Sequence, residues 1–391
     1  NKNSKSLIEV FMLNVNLNAT NQSVVTPPST TATQESTLPE PVLTLLNDST
    51  TLEAPYSPET LQTQLQQQKA AVRSTADDPR NIESDISDSL LDAINQSAED
   101  LAILQGWTDG GSGMFNSANK VMFEALKEVM NSSDETKKGF ALEDLFQLAV
   151  IDFMANSTSN TDESMKENMA HYLESTGTGS HGVHENWNGE AFASNLEGIW
   201  RHIYLNSSAD SLSKAVLNYL GPHFDDLKSQ YQNKFNENGG YAFRDDYEKE
   251  NFGLGPMLRL AVMAKFLTKK PDIVQADLEK LMIGTFNEME EIIHKHLGDS
   301  QTLKGLLTDG DKQWKVIASY DGSGDIIDWT GEGLDLKYFE DLYHKFPSRV
   351  LGDEDIKEIN RIGDNAKMIQ QTLKYWYQML RDERLSIARN I

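Results

Sequence analysis

The sequence predicts a mainly α-helical protein, built of long helices with a coiled-coil-like helix at its C-terminus and one small β-hairpin as a minor α+β part. Three observations predict it. Apolar residues recur at helical spacing through most of the chain after residue 81. A single stretch, WKVIASY-DGSG-DIIDW, reads instead as two strands around a glycine turn. Finally, Ile359, Ile362, Ala366, Ile369, Leu373, Trp376, Leu380 and Ile387 follow one another in steps of three and four and then seven, an a/d seam of about four heptads.

Taken in order, residues 1–80 form an N-terminal segment rich in Ser, Thr, Asn, Gln and Pro, with Met12 the expected initiator. From Asn16 to about Arg80 such a composition buries too little apolar surface to offset its ordering entropy, which predicts disorder or loose attachment. Residues 81–131 are expected to form a helical hairpin. Its first helix, Ser84 to Leu104, opens on Ser/Asp capping residues and places Ile86, Leu90, Leu91, Ile94, Ala98, Leu101 and Leu104 on one face. GWTDGGSG then breaks the pattern before a second amphipathic helix from Phe115 to Met130.

Residues 132–312 read as a helical domain. Leu142 to Met154 is nearly apolar all round and belongs in the core, while Ser175 to Gly189 is a loop. Helices are expected at Ala193–Leu205, Ser211–Asn236 and Met257–Leu267, and at Asp272–Leu297 with Asp272 as N-cap after Pro271. Residues 313–352 hold the hairpin and a short helix. Residues 353–391 are the long terminal helix.

Composition excludes several functions. Lys and Arg total 35 against 60 Asp and Glu, a formal net charge of −25, which repels nucleic acid and anionic membrane surfaces alike. No cysteine is present, so disulfides, zinc–thiolate sites and thiol nucleophiles are ruled out. No run approaches the length of a membrane span, and LIEVFML is not followed by a small-residue cleavage site, so no cleaved signal peptide is expected. The seven Asn-x-Ser/Thr triplets, from Asn18 to Asn206, then read as a by-product of composition.

Candidate chemical constellations are weak. Asp321, Ser323, Asp325 and Glu332 match some positions of a calcium loop, but Ile326 stands where the loop needs glycine. His181, His184 and Glu185 lack the spacing of a zinc-protease helix, and His294 and His296 point to different helix faces. Gly110, Gly111 and Gly113 are followed by no Gly-Lys-Ser/Thr, and read as a linker. No catalytic, cofactor or metal residue is assigned, and no cofactor is expected.

The terminal helix is the candidate functional element. Its seam suits a partner helix in the same chain, expected to be Asp272–Leu297 or Ser84–Leu104. Met368, Thr372, Tyr375 and Met379 make a second stripe, which points to a further partner. The expected assembly interface comprises Ile369, Leu373, Tyr375, Trp376, Met379 and Leu380. Arg381, Arg384 and Arg389 suit the negative end of the helix dipole.

Several of these features resemble the hydrophilic needle-tip proteins of bacterial type III secretion systems, the invasion-plasmid-antigen D and V-antigen group. The leader MLNVNLNATNQSVVTPPSTT is similar to their uncleaved secretion signals. The run Tyr320-Asp-Gly-Ser-Gly-Asp, then Leu334-Asp-Leu336, Phe339 and Leu342-Tyr343, is similar to a glycine-turn, Leu-Asp and helix passage in that group. The helical block between Leu142 and Leu297 is larger than the group implies. The resemblance implies a secreted, surface-located structural protein whose partners are sister subunits, the needle protein or translocator proteins. A cytoplasmic gatekeeper of secretion, an effector acting around His181, His184 and Glu185, and a helical scaffold outside secretion remain open alternatives.

Overall fold

The computed structural model describes residues 38–76, 84–175, 187–234, 253–310, 312–318, 325–331 and 333–389. Residues 1–37, the His181/His184/Glu185 group, Tyr320, Asp321, Ser323 and Glu332 lie outside these residues. The described protein is mainly helical, with a two-stranded antiparallel hairpin as its β-structure. The chain divides into two compact units, one made of Asn1–Gln105 with Asp353–Ile391, the other of Gly106–Gly352. The boundary between the two units falls within the segment 81–131, read from sequence as a helical hairpin.

In the first unit, helices α1 (Glu40–Asn47) and α2 (Pro58–Ala76) occupy part of the segment expected to be disordered. Both place apolar side chains in a core: Val42 and Leu45 from α1, Leu61, Leu65, Ala71 and Val72 from α2. α3 (Ser84–Asp109) and the terminal helix α15 (Asp353–Arg389) complete the described part of this unit up to Gln105. On α3, Ile94, Leu101 and Leu104 are buried, whereas Ile86, expected on the same face, is exposed.

The second unit is organised around α5 (Glu135–Asn156), which follows α4 (Gly111–Met130). Every residue from Phe140 to Met154 is buried, Glu143, Asp144, Gln147 and Asp152 included, as befits a central core helix. Around it pack α4, α6 (Glu163–Ser175), α7 (Gly189–Asn206), α8 (Leu212–Leu220), α9 (Phe224–Lys234) and α10 (Pro256–Lys269). Polar residues of α5 serve neighbouring helix ends. Gln147 Oε1 accepts from Met257 N at 3.0 Å, satisfying an orphan donor in the first turn of α10. Asp152 Oδ2 accepts from Ser213 N at 2.8 Å in the first turn of α8; burial raises its carboxyl pKa against these hydrogen bonds.

Two helices expected to be continuous are broken. Ser211–Asn236 divides at Gly221-Pro222, because proline lacks the N–H that the helix interior needs. Asp272–Leu297 becomes α11 (Gln275–Ile283) and α12 (Phe286–Leu297), with Val274 rather than Asp272 at the first N-cap. Thr285 starts α12 in a reciprocal capping box with Glu288. The buried guanidinium of Arg259 donates to the carbonyls of Leu254 (2.6 Å), Leu281 (3.2 Å) and Gly284 (2.7 Å), tying α10 to the end of α11. Burial lowers its pKa to about 10, which still leaves it charged at neutral pH.

A short helix, α13 (Leu303–Thr308), leads to the hairpin of β1 (Trp314–Ala318) and β2 (Asp325–Trp329). Their register pairs Trp314 with Trp329, whose rings meet edge to face at 4.9 Å, and Trp314 Nε1 donates to Tyr338 OH at 2.9 Å. Tyr338 belongs to α14 (Leu336–His344), and the Phe115 ring of α4 sits against Phe339, Tyr343 and Phe346 at 5.2–5.9 Å. The Gly110–Gly113 run is a linker of one residue: Gly110 and Gly111 have φ of 68° and 50°, and Gly111 N donates to Phe346 O at 2.7 Å. That N–H is committed within the protein, which removes it from any phosphate-binding role.

Candidate functional site

α15 begins with Asp353, Glu354 and Asp355, whose charges suit the positive end of the helix dipole, and it runs unbroken to Arg389. One line of its residues is buried: Ile359, Ile362, Ala366, Ile369, Leu373 and Tyr377. The helices that fill this seam are α1 and α2. Of the partners expected from sequence, Ser84–Leu104 does not take this place among the described residues, and Asp272–Leu297 belongs to the second unit.

The α2 side of the seam follows helical spacing at 61, 64–65, 68, 71–72 and 75, but Gln64, Gln68 and Thr75 alternate with apolar residues. Each meets a polar group of α15. Gln370 Nε2 donates to Gln64 Oε1 at 3.0 Å, and Gln68 Nε2 donates to the Ala366 carbonyl at 2.9 Å. The hydroxyls of Thr75 and Tyr377 lie 3.2 Å apart, and burial pushes the Tyr377 phenol up to about 12. Gln64 also donates to Asp48 at 2.6 Å. Burial opposes the charge of that carboxylate, yet hydrogen bonds from Thr50 and Gln64 hold its pKa below the ordinary value. Buried polar pairs of this kind fix the register of two helices more sharply than apolar contacts do.

Gly363, the sole glycine of α15, has a steric role. The ring of Tyr56 lies over it so closely that a Cβ would stand 2.2 Å from Tyr56 Cδ2, and Tyr56 OH donates to Asp364 Oδ1 at 2.6 Å. Gly363→Ala should destabilise the first unit by about 1–3 kcal/mol through overpacking, although alanine favours helix by about 1 kcal/mol. In a Tyr56→Ala background the same change should become stabilising by about 1 kcal/mol. Urea unfolding of the four proteins in this cycle checks both signs.

The six residues of the expected interface separate into two groups. Ile369 and Leu373 are buried in the intramolecular seam, and Trp376 and Leu380 are half-buried beside it. Tyr375 and Met379 are exposed at 65% and 47%, and Met368 joins them at 52%. At 100° per residue, Met368, Thr372, Tyr375 and Met379 fall within an arc of about 60° turned away from the seam. Tyr377 was missed because strict heptad counting selects Trp376. A straight helix drifts by about 20° per heptad against a 3.5-residue repeat, and two heptads of drift bring Tyr377 into the seam instead.

Beyond Tyr377 no described residue of α15 is buried, and Leu385 and Ile387 are also exposed. Residues 365–389 carry five basic side chains against two acidic ones, in a chain of net charge −25. This half of the helix thus combines an exposed apolar stripe with a local excess of positive charge.

Elsewhere, a cavity of about 240 Å³ in the second unit is lined chiefly by apolar residues such as Met122, Leu126, Phe140, Leu254 and Met282. The Arg259 guanidinium at its wall is taken up by backbone carbonyls. Among the described residues, no group of three or more His, Asp and Glu side chains is arranged to hold a metal ion, and no helix is long and apolar enough to cross a membrane. His296 Nε2 lies 2.7 Å from Asp277 Oδ2, and Lys295 Nζ reaches the same oxygen at 2.6 Å. Burial opposes the ionised form of Asp277, but these two partners hold its pKa below the ordinary value. The arrangement ties α12 to α11 and is structural.

No protein-family model matches the chain, no curated protein is detectably similar to it in sequence, and no solved structure is detectably similar to it in fold.

Proposed function

We propose that the protein is structural rather than catalytic, and that it assembles through the outward stripe of α15. The observation that carries this reading is the exposure of Met368, Tyr375 and Met379 on a helix whose opposite face is already filled by α1 and α2. Water-exposed apolar side chains in one line are costly unless a partner covers them, and an aromatic flanked by methionines is a favoured anchor for protein contacts.

The setting proposed is a type III secretion apparatus, with the protein secreted and placed at the needle tip among sister subunits, needle protein or translocators. Support comes from the leader, the Tyr320–Tyr343 passage and the terminal helix, together with an acidic, cysteine-free composition that needs no oxidative step after export.

The test is Tyr375→Asp with Met379→Asp. The variant should be exported into the culture medium like the wild type and fail to appear on the isolated apparatus. Normal incorporation would refute the assembly role of the stripe. Retention of the wild-type protein in the cytosol would refute the tip assignment and favour a gatekeeper.

A further inference from the structure

The cavity in the second unit has no part in assembly through α15. Its floor is made by Met122 of α4, Phe140 of α5, Leu254 just ahead of α10 and Met282 of α11, all of them buried. On its outer side Ala125 and Leu126 are half-buried and Lys137 is exposed, so the space opens toward solvent past the lysine's alkyl stem. Two polar ties hold the walls in place. Gln147 accepts from Met257 N and fixes the start of α10 to α5, and Arg259 fixes α10 to the end of α11. Closing the space by sliding these helices together would break buried hydrogen bonds, so the cavity is kept rather than collapsed.

We propose that this cavity binds one neutral, apolar molecule of about ten carbons. Size sets the first limit. A dry apolar cavity of about 150 Å³ takes benzene. In proportion, about 240 Å³ suits a two-ring aromatic or a chain of similar volume. The polar groups of the lining set the second limit, because they are already engaged. Arg259 is held by three carbonyls, and the Thr285 hydroxyl and N–H are both used in the capping box with Glu288. Charge sets the third. Arg259 and Asp144 line the same cavity with opposite signs, and Lys137 is paired with Asp134 at 3.6 Å. An anion would enter against a chain of net charge −25, and a cation would be buried beside the arginine. A neutral apolar molecule meets neither cost, and the thioethers of Met122 and Met282 adapt to its outline.

The test is calorimetric titration of the full-length protein with naphthalene, repeated with 2-naphthoate, its anionic counterpart. Naphthalene should bind saturably at one site per chain and raise the urea midpoint of the second unit. The naphthoate should bind at least about tenfold more weakly, since its charge finds no partner inside. Ala125→Phe fills the cavity from its half-buried side and should weaken naphthalene by about tenfold or more. Should that variant fail to fold, Leu126→Trp fills the same space from the rim and decides in its place. The Tyr375→Asp/Met379→Asp protein should bind naphthalene like the wild type, which separates this site from the assembly stripe. Absence of saturable binding to the wild type would overturn the proposal. So would equal affinity for 2-naphthoate, wild-type affinity in a folded cavity-filled variant, or loss of binding in the stripe variant.

Discussion

Leu373→Asp is expected to unfold the first unit. Leu373 is fully buried between α15 and its partners α1 and α2. Aspartate there loses the leucine's packing, worth about 2–5 kcal/mol, and adds the burial of a polar or charged group. A loss of more than about 4 kcal/mol is a large fraction of the stability of a domain. Limited proteolysis should cut rapidly within residues 38–76 and 353–389, while fragments of the second unit persist. A resistant, folded first unit in this variant would mean that the seam is not the core described. Leu373 is consequently unsuitable for testing assembly, because a failure there reports folding.

The second large effect is expected at Arg259. Arg259→Met keeps most of the side-chain volume but strips the carbonyls of Leu254, Leu281 and Gly284 of their donor and removes the positive charge facing Asp144. Losing one member of a buried, charge-assisted network costs about 3–5 kcal/mol. Arg259→Lys should recover little of it, since one ammonium on a flexible stem cannot reproduce the guanidinium's fixed fork. The urea midpoint of the second unit should fall sharply in both variants. A midpoint within error of the wild type would show that the arginine is dispensable.

How much of this was legible in the sequence depended on what the chemistry of each element displays. α15 was legible from its heptads and α5 from its continuous apolar run, because each is read from residues within one helix. α2 was not. Its seam carries Gln64, Gln68 and Thr75 at core positions, so composition spoke for disorder, and the hydrogen bonds that satisfy those groups come from Gln370, Ala366 and Tyr377 about 300 residues away. The break within Asp272–Leu297 had a visible signal in the Thr285-x-x-Glu288 capping box, outweighed by the apolar periodicity on either side. Ser211–Asn236 carried its own stop signal in Gly221-Pro222.

The candidate site was half legible. Two stripes were evident on α15, but their assignment required knowing that α1 and α2 fill one of them. Gly363 gave a further hint: a lone glycine in so long a helix marks a close approach, and the residue approaching is Tyr56, from the segment expected to be disordered or loosely attached.

The central claim is a division of labour on α15, with the seam through Leu373 serving the fold and the stripe through Tyr375 serving assembly. Thermal unfolding of purified Tyr375→Asp/Met379→Asp, followed by its incorporation into the proposed secretion apparatus, tests the claim most directly. The account predicts a melting temperature within about 2 °C of the wild type, as expected for exposed positions, and no incorporation. A melting temperature lowered by many degrees, or wild-type incorporation, would contradict it.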